Sequence, residues 1–460
     1  MQLPDTKQYV LRGKQVVTPV GIEARDIVVR DGKIESVGTY GSQNDLPVTE
    51  INDLVIMPGL VDSHVHINEP GRTEWEGFTT ATQGAAAGGI TTVCDMPLNC
   101  DPVTTSLSAF ETKRATLQNQ LWADCGFYGG VIPGNEKELE PMIEAGVLGF
   151  KCFLIHSGID DFPNVTEEDL RKAMPILAKH NIPLLVHAEL CSTQAETKWV
   201  GDQKAYDAYL ASRPRQWEID AIALMIKLCR EIGSPVHIVH LSCADALPMI
   251  AGARKEGLPL TVETCSHYLT LHSETIPEGD TRFKCAPPIR EAENAERLWK
   301  GLKEGVIDFI ISDHSPCTPE LKKLEAGNFE EAWGGISSLQ FGLPIVWSEA
   351  KKHKFTINDI ARLQCSGPAQ LIGQAHRKGQ IAPSYDADFV IWDPNEYFSI
   401  EPKINRHKHK LTPYDDKIFH GTVHATILRG QPVYNNLKFP EESPGIPLLE
   451  RSNKTLVSNA

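Results

Sequence analysis

The stretch "LVDSHVH" at residues 60–66 decides how the rest of the chain reads. It is a short apolar run ending in polar residues. Between residues 58 and 320, seven more runs share that form: "ITTVCDM" (90–96), "CGFYGGVI" (125–132), "VLGFKCFLI" (147–155), "PLLVHAE" (183–189), "VHIVHLS" (236–242), "LTVETCSHYL" (260–269) and "DFIISDHS" (308–315). Helical patterns separate them. In 216–231, for example, Ile219, Ile222, Ile226 and Cys229 share one helix face. Apolar runs alternating with helices mark βα units around a parallel sheet, and eight of them predict an α/β fold, a (β/α)8 TIM barrel over 58–379.

The flanks carry a different pattern. Residues 8–56 and 380–440 show alternating apolar residues punctuated by Gly and Asp, as in "DIVVRDGKIESVG" (26–38) and "GTVHATILRGQPVYN" (421–435), which is hairpin patterning. Neither flank has enough strands for a core of its own. Residues 1–57 plus 380–440 therefore predict one small β-sandwich domain formed by both chain ends, with the barrel inserted into it. Residues 441–460 read as a poorly ordered C-terminal tail.

Composition narrows the function classes. The 460 residues carry 60 acidic against 45 basic side chains, a net charge of −15, with 41% hydrophobic residues, an enzyme-like globular balance. An acidic chain without clustered Lys and Arg is a poor nucleic-acid or anionic-membrane binder. No run reaches 18 consecutive apolar residues, and "MQLPDTKQYVLRGKQVV" lacks a secretory pattern, so neither membrane insertion nor secretion is expected. Eleven scattered cysteines without a CxxC pair point to a reducing, cytoplasmic setting.

The chemistry sits at the strand ends. His64 and His66 lie two apart on a strand, so both imidazoles face the same side, into the barrel mouth. Lys151 lies inside the apolar strand "GFKCF", where an ammonium is expensive unless paired, deprotonated or chemically converted. Conversion means uptake of carbon dioxide to give a carbamate, an anionic oxygen ligand able to bridge two metals. His187 ends the fifth strand, His240 the sixth, and Asp313 the eighth. Five of eight strands thus end in a potential ligand, at the face where barrel active sites are assembled. Imidazoles with hard oxygen ligands suit two divalent ions, zinc first, with manganese, cobalt or iron(II) as alternatives. His237 faces away and reads as structural, His314 as packing or capping, and "HKH" at 407–409 as a solvated loop.

These motifs resemble the amidohydrolase superfamily, in its cyclic amidase branch of dihydroorotases, hydantoinases and allantoinases. The resemblance runs from "GKIESVG" (32–38) through "VIMPGLVDSHVH" (55–66) to "KGQIAPSYDADFVIWDP" (378–394). It implies that His64, His66 and Asp313 hold the more buried metal, His187 and His240 the more exposed one, and a carboxylated Lys151 the bridge. Dihydroorotases read "HxHxREPG", where the Arg meets a substrate carboxylate; here "HVHINEPGR" places Asn68 at that position, which disfavours a carboxylate-bearing substrate. With "DMPLN" (95–99), "FKCAPPIR" (283–290) and "SDHSPC" (312–317), the chain is most similar to the allantoinases, and among them to the eukaryotic forms.

That resemblance implies hydrolysis of the ring amide of allantoin to allantoate, with a metal-bridging hydroxide as nucleophile and Asp313 as general base and acid. Asn68, Ser157, Cys285 and Ser315 would line the substrate pocket, with backbone groups near Cys285 and Gly335 reading the ring amides. A homotetramer is common in the branch. The alternatives are a hydantoinase or dihydropyrimidinase, and a non-catalytic dihydropyrimidinase-like assembly protein, against which the complete ligand set argues.

Overall fold

The eight apolar runs form eight parallel barrel strands. The computed structural model describes residue 3 and residues 6–191 and 199–452. In order, the strands are Leu60–Val65, Ile90–Asp95, a bent third strand of Asp124–Phe127 and Gly129–Gly130, Phe150–Phe153, Leu184–His187, Val236–Ile238, Leu260–Cys265 and Phe309–Ile311. Each pairs in parallel with its sequence neighbour; the halves of the bent strand pair with the second and fourth strands respectively.

Closure comes between the first and eighth strands. Val65 bridges to His314, and the His66 amide donates to the His314 carbonyl at 2.8 Å. Beneath them the Asp62 carboxylate accepts from the His64 amide at 3.1 Å and the Ser312 amide at 3.1 Å. The crossover helices follow from local signals. Glu167–His180 starts at a Thr166/Asp169 capping box, stops at left-handed Asn181, and buries Leu170, Ala173, Met174 and Leu177 on one face. Each of its two leucines and its methionine is worth roughly 1.5–3 kcal/mol on full burial. The expected helix at 216–231 is Arg215–Ile232, with Ile222, Ile226 and Cys229 buried.

The two flanks meet in one seven-stranded sheet. Its order is Gln431–Asn435, Ile418–Leu428, Phe389–Ser399, Val48–Pro58, Gln8–Thr18, Gly21–Arg30, Lys33–Thr39. The N- and C-terminal halves join where Val48–Pro58 runs antiparallel to Phe389–Ser399, with Ile56 opposite Ile391. Strand alternation divides the apolar residues. Leu11, Ile27, Ile56, Phe389, Ile391 and Ile427 share a core inside the β-domain, whereas Val55, Met57, Val390 and Trp392 join the barrel core.

The C-terminal segment corrects an expectation. Residues 445–452 do not trail loosely. The Cys125 amide donates to Ile446 O at 3.0 Å, the Leu448 amide donates back to Cys125 O at 2.8 Å, and Leu448 is buried. Arg451 donates to the carbonyls of Leu148 and Leu371 at 3.0 and 2.6 Å. A few apolar residues in a Pro-rich stretch suffice to extend the barrel edge; residues 453–460 lie outside the described residues.

A buried ion cluster ties the two domains together. Lys378 Nζ lies 2.6 Å from Asp124 on the third barrel strand, and 2.7 and 3.0 Å from Asp388 and Asp386 in the β-domain. Arg429 also reaches Asp124, and Arg377 pairs with Asp386 at 2.7 Å. Removing one partner of such a network strands the other charges. Lys378→Met should therefore cost about 3–5 kcal/mol in urea unfolding. A loss below about 1 kcal/mol, the level of an exposed pair, would mean that the cluster does not join the domains.

Candidate metal centre

Strand ends bring the expected ligands together. Period-two alternation turns His64 and His66 inward from the first strand, and His187 and His240 close the ring beside them. Ring centroids lie 5.5 Å apart for His64 and His66, 5.5 Å for His64 and His240, and 4.6 Å for His187 and His240. His240 and Asp313 have φ of 40° and 44°, a left-handed turn just past the sixth and eighth strands. That strain costs of order 1–3 kcal/mol per residue and is commonly found at functional sites. Asp313 Oδ1 sits 3.2 Å from His64 Nε2 and 3.5 Å from His66 Nε2.

The outer partners of the imidazoles set their orientation. Glu263 Oε1 lies 2.6 Å from His64 Nδ1, and its second oxygen lies 3.1 Å from His237 Nε2. Glu189 lies 2.8 Å from His187 Nε2 and is held by Arg213 at 2.5 Å. A metal-ligating imidazole is oriented in this way, through the nitrogen that faces away from the metal. His237 is structural as expected, stacked on Phe309 and bonded to Thr261.

Electrostatics point the same way. Burial lowers His66 to about 4 and also lowers His187 and His240, so these rings are neutral donors at pH 7. Burial raises Asp313, but His64 and His66 outweigh it and hold the carboxyl well below the usual range. Burial lowers Lys151 to about 8, and it has no ion pair among the described residues. His64 Nε2 and His240 Nδ1 are buried without a hydrogen-bond partner. Four imidazoles, a carboxylate, an uncompensated lysine and orphaned ring nitrogens fit a divalent metal pair. His64, His66 and Asp313 place their ligand atoms within 4.8 Å of one another.

The cavity above this centre is lined by Ser157, Cys285 and Ser315, as expected, and also by Asn99, Phe153 and Trp333. Asn68 does not line it. Its side chain donates to Pro316 O at 3.4 Å, while Asn99 takes the cavity position with its Nδ2 3.4 Å from His66 Nδ1. Asn68 is buried in the turn after the HxH pair, with its Oδ1 unpartnered. Ser157 Oγ lies 2.7 Å from Phe162 O, so its proton serves the loop. Gly335 spends its amide on Lys284 O at 2.8 Å and its carbonyl on Lys322.

A second correction concerns "HKH". His407 is fully buried, packs on the His314 ring at 4.5 Å, and accepts from the Gln340 amide at 3.2 Å. Lys408 and His409 bond the carbonyls of Thr73, Glu74 and Glu76. The segment is a clamp on the turn that follows the HxH pair. Its basic composition suggested solvent, but backbone carbonyls supply the acceptors.

Sequence reasoning missed Glu189, Glu263, Asn99 and His267. Glu263 carried a usable signal, a carboxylate within an apolar strand, the same one that marked Asp313. His267 is fully buried near Asp313 with neither ring nitrogen partnered. Neighbouring Cys265 is pushed far up by burial, so it stays a thiol.

Comparison with known proteins places this geometry in a family. Residues 55–433 match the amidohydrolase family. An allantoinase of Streptomyces avermitilis is 44% identical over 436 residues, covering 94% of this chain and 97% of its own. A mitochondrial allantoinase of Aquarana catesbeiana is 50% identical over 372 residues, covering 80% and 77%. Among solved structures, the L-hydantoinase (dihydropyrimidinase) of Arthrobacter aurescens superposes with a TM-score of 0.90 at 30% identity, covering 97% of this chain and 100% of that one. With its strand-end histidines and aspartate set in a barrel of that kind, the chain belongs to the amidohydrolase family, among its allantoinases.

Proposed function

We propose that this protein is an enzyme hydrolysing the cyclic amide of allantoin to allantoate. The observation that carries the reading is its likeness to allantoinases along nearly the whole chain. The cavity supports it independently. No arginine lines it among the described residues, so it lacks the bidentate guanidinium that best receives a substrate carboxylate.

His64, His66 and Asp313 would hold one divalent cation and His187 with His240 a second, with zinc the first choice for such nitrogen-rich sites. Two cations bound there would supply hydroxide from water at neutral pH and polarise the ring carbonyl. Lys151 would join them as a carbamate formed with carbon dioxide. A buried lysine without an anion is the group for which that conversion removes an electrostatic cost. Asp313, ionised at neutral pH, turns Oδ1 toward His64 and His66 and leaves Oδ2 to accept the proton of the attacking water. As the ring C–N bond breaks and the new C–O bond completes the carboxylate, Asp313 passes that proton to the leaving nitrogen. Glu263 and Glu189 keep His64 and His187 in the required tautomer and orientation.

No described helix is long and apolar enough to cross a membrane. A cytoplasmic homotetramer is the form proposed, on the branch resemblance, although one relative is named mitochondrial.

The test of the reaction is a substrate panel on purified, metal-replete protein. Allantoin should be turned over far better than dihydroorotate, dihydrouracil or 5-alkyl hydantoins. Comparable kcat/KM on dihydropyrimidines would move the assignment to a hydantoinase. Absence of bound metal with no turnover would favour the assembly-protein reading.

Lys151→Arg probes the bridge, because a guanidinium stays cationic and cannot take up carbon dioxide. Metal content and turnover should fall together, and wild-type protein stripped of metal should reload better with bicarbonate. Two retained metals with near-normal turnover would rule out Lys151 as the bridge.

Glu263→Gln keeps the shape but removes the charge that orients His64. Metal affinity should drop about 10–100-fold with the fold intact by circular dichroism. An unchanged metal dissociation constant would make Glu263 a packing residue only.

A further inference from the structure

Two lysines beside the cavity, Lys322 buried and Lys284 half-buried, have no carboxylate partner among the described residues. Lys322 is 5% exposed, and its Nζ donates to the carbonyls of Gly335, Trp333 (3.0 Å) and Lys284 (3.4 Å). Lys284 donates to the carbonyls of Ala332 (2.6 Å) and Glu330 (3.0 Å), and its Nζ sits 5.3 Å from the Tyr209 ring. Each ammonium has three donor directions, and each finds three partners. The arrangement is reciprocal, since the Gly335 amide donates to Lys284 O at 2.8 Å.

Burying an uncompensated cation is costly, and an apolar side chain would fill the same space more cheaply. What the two cations hold is a stretch of irregular backbone, 330–335, with no helix or strand to fix it. Three of its residues, Trp333, Gly334 and Gly335, form cavity wall. The wall presses on the reaction centre, because a Cβ on Gly335 would run into the backbone of Ser315, two residues past Asp313. Charge-assisted hydrogen bonds, roughly twice as strong as neutral ones, suit a wall that must keep its shape without secondary structure.

We propose that Lys284 and Lys322 are positioning residues for substrate specificity, a half-buried and a buried ammonium group that shape the 333–335 wall to receive the ureido substituent of the substrate. This rests on the allantoin-hydrolysing reading above. The amide under attack must lie over the strand-end histidines and Asp313. Whatever else the ring carries must therefore lie against the loop-built wall.

The experiment compares Lys322→Met and Lys284→Met with wild type, as full-length metal-replete enzyme. It uses allantoin and unsubstituted hydantoin, the latter scored as substrate or competitive inhibitor. In each variant the KM for allantoin should rise about tenfold or more while kcat stays within about threefold, and hydantoin affinity should change less than about twofold. Metal content should match wild type. Without substrate, amide hydrogen exchange in 330–336 should quicken about tenfold or more, with the barrel strands unaffected. Equal loss on both ligands, a fall in kcat at constant KM, or unchanged exchange would each overturn the proposal. Should one variant fail to fold, the other carries the test by itself. Wild-type enzyme inactive on allantoin would refute the functional reading, while the exchange result would still report whether the lysines hold the wall.

Discussion

The meeting of the first and eighth strands is the constraint on which the rest of the molecule depends. A barrel of parallel strands has no hairpin to close it, so the last strand must find the first across the whole intervening chain. Asp62 does part of this, gripping the amides of His64 and Ser312 with one carboxylate. The His66 amide to His314 carbonyl bond and the Val65 bridge do the rest. Closure at that register brings Asp313 within 3.5 Å of both His64 and His66, so fold completion and assembly of the centre are one event. A slip of one residue on either strand would turn the histidines or the aspartate to the other face.

Buried charge is managed differently at the centre and elsewhere. Lys378 is matched by Asp124, Asp386 and Asp388, Lys113 by Asp95, and Arg290 by Glu218. At the barrel mouth the matching stops. Lys151 faces imidazoles with no anion in ion-pair reach among the described residues, and ring nitrogens of His64, His240 and His267 lack hydrogen-bond partners. An unpaired buried lysine set among open ring nitrogens, in a chain that pairs Lys378, Lys113 and Arg290 with carboxylates, marks that place as functional. The same logic singles out Lys322, whose charge is met by carbonyls alone, and Lys284, met by two carbonyls and the Tyr209 ring.

The repeating parts of the molecule were legible in sequence, and the single contacts were not. Eight apolar runs and two hairpin-rich flanks announce themselves through periodicity, which averages over many residues. The candidate ligand positions were legible as a set, since ionisable residues at the ends of five of eight apolar strands stand out together where each alone would not. A motif position does not say which way a turn carries a side chain: Asn99 lines the cavity, whereas Asn68 bonds Pro316 O. His407 went wrong because charge composition says nothing of carbonyl acceptors, and here Thr73, Glu74 and Glu76 offer them. The segment 445–452 carries too few apolar residues for any pattern, yet Leu448 and Arg451 suffice to dock it.

Ligands and specificity are carried by different kinds of structure. The candidate metal ligands ride on or just beyond strands locked by barrel hydrogen bonds, the part of the molecule whose fold superposes on the L-hydantoinase of Arthrobacter aurescens with a TM-score of 0.90 at 30% identity. The wall around Cys285 and Trp333–Gly335 belongs to loops after the seventh and eighth strands, where backbone can be re-laid without disturbing closure. Such a wall cannot draw its shape from a ladder of backbone bonds. It must import rigidity from side chains beneath it, and a buried ammonium with three carbonyl acceptors supplies that at the cost of one desolvated charge. On the proposal made for Lys284 and Lys322, substrate choice in this protein follows from what lies under the loops as much as from what lines the cavity.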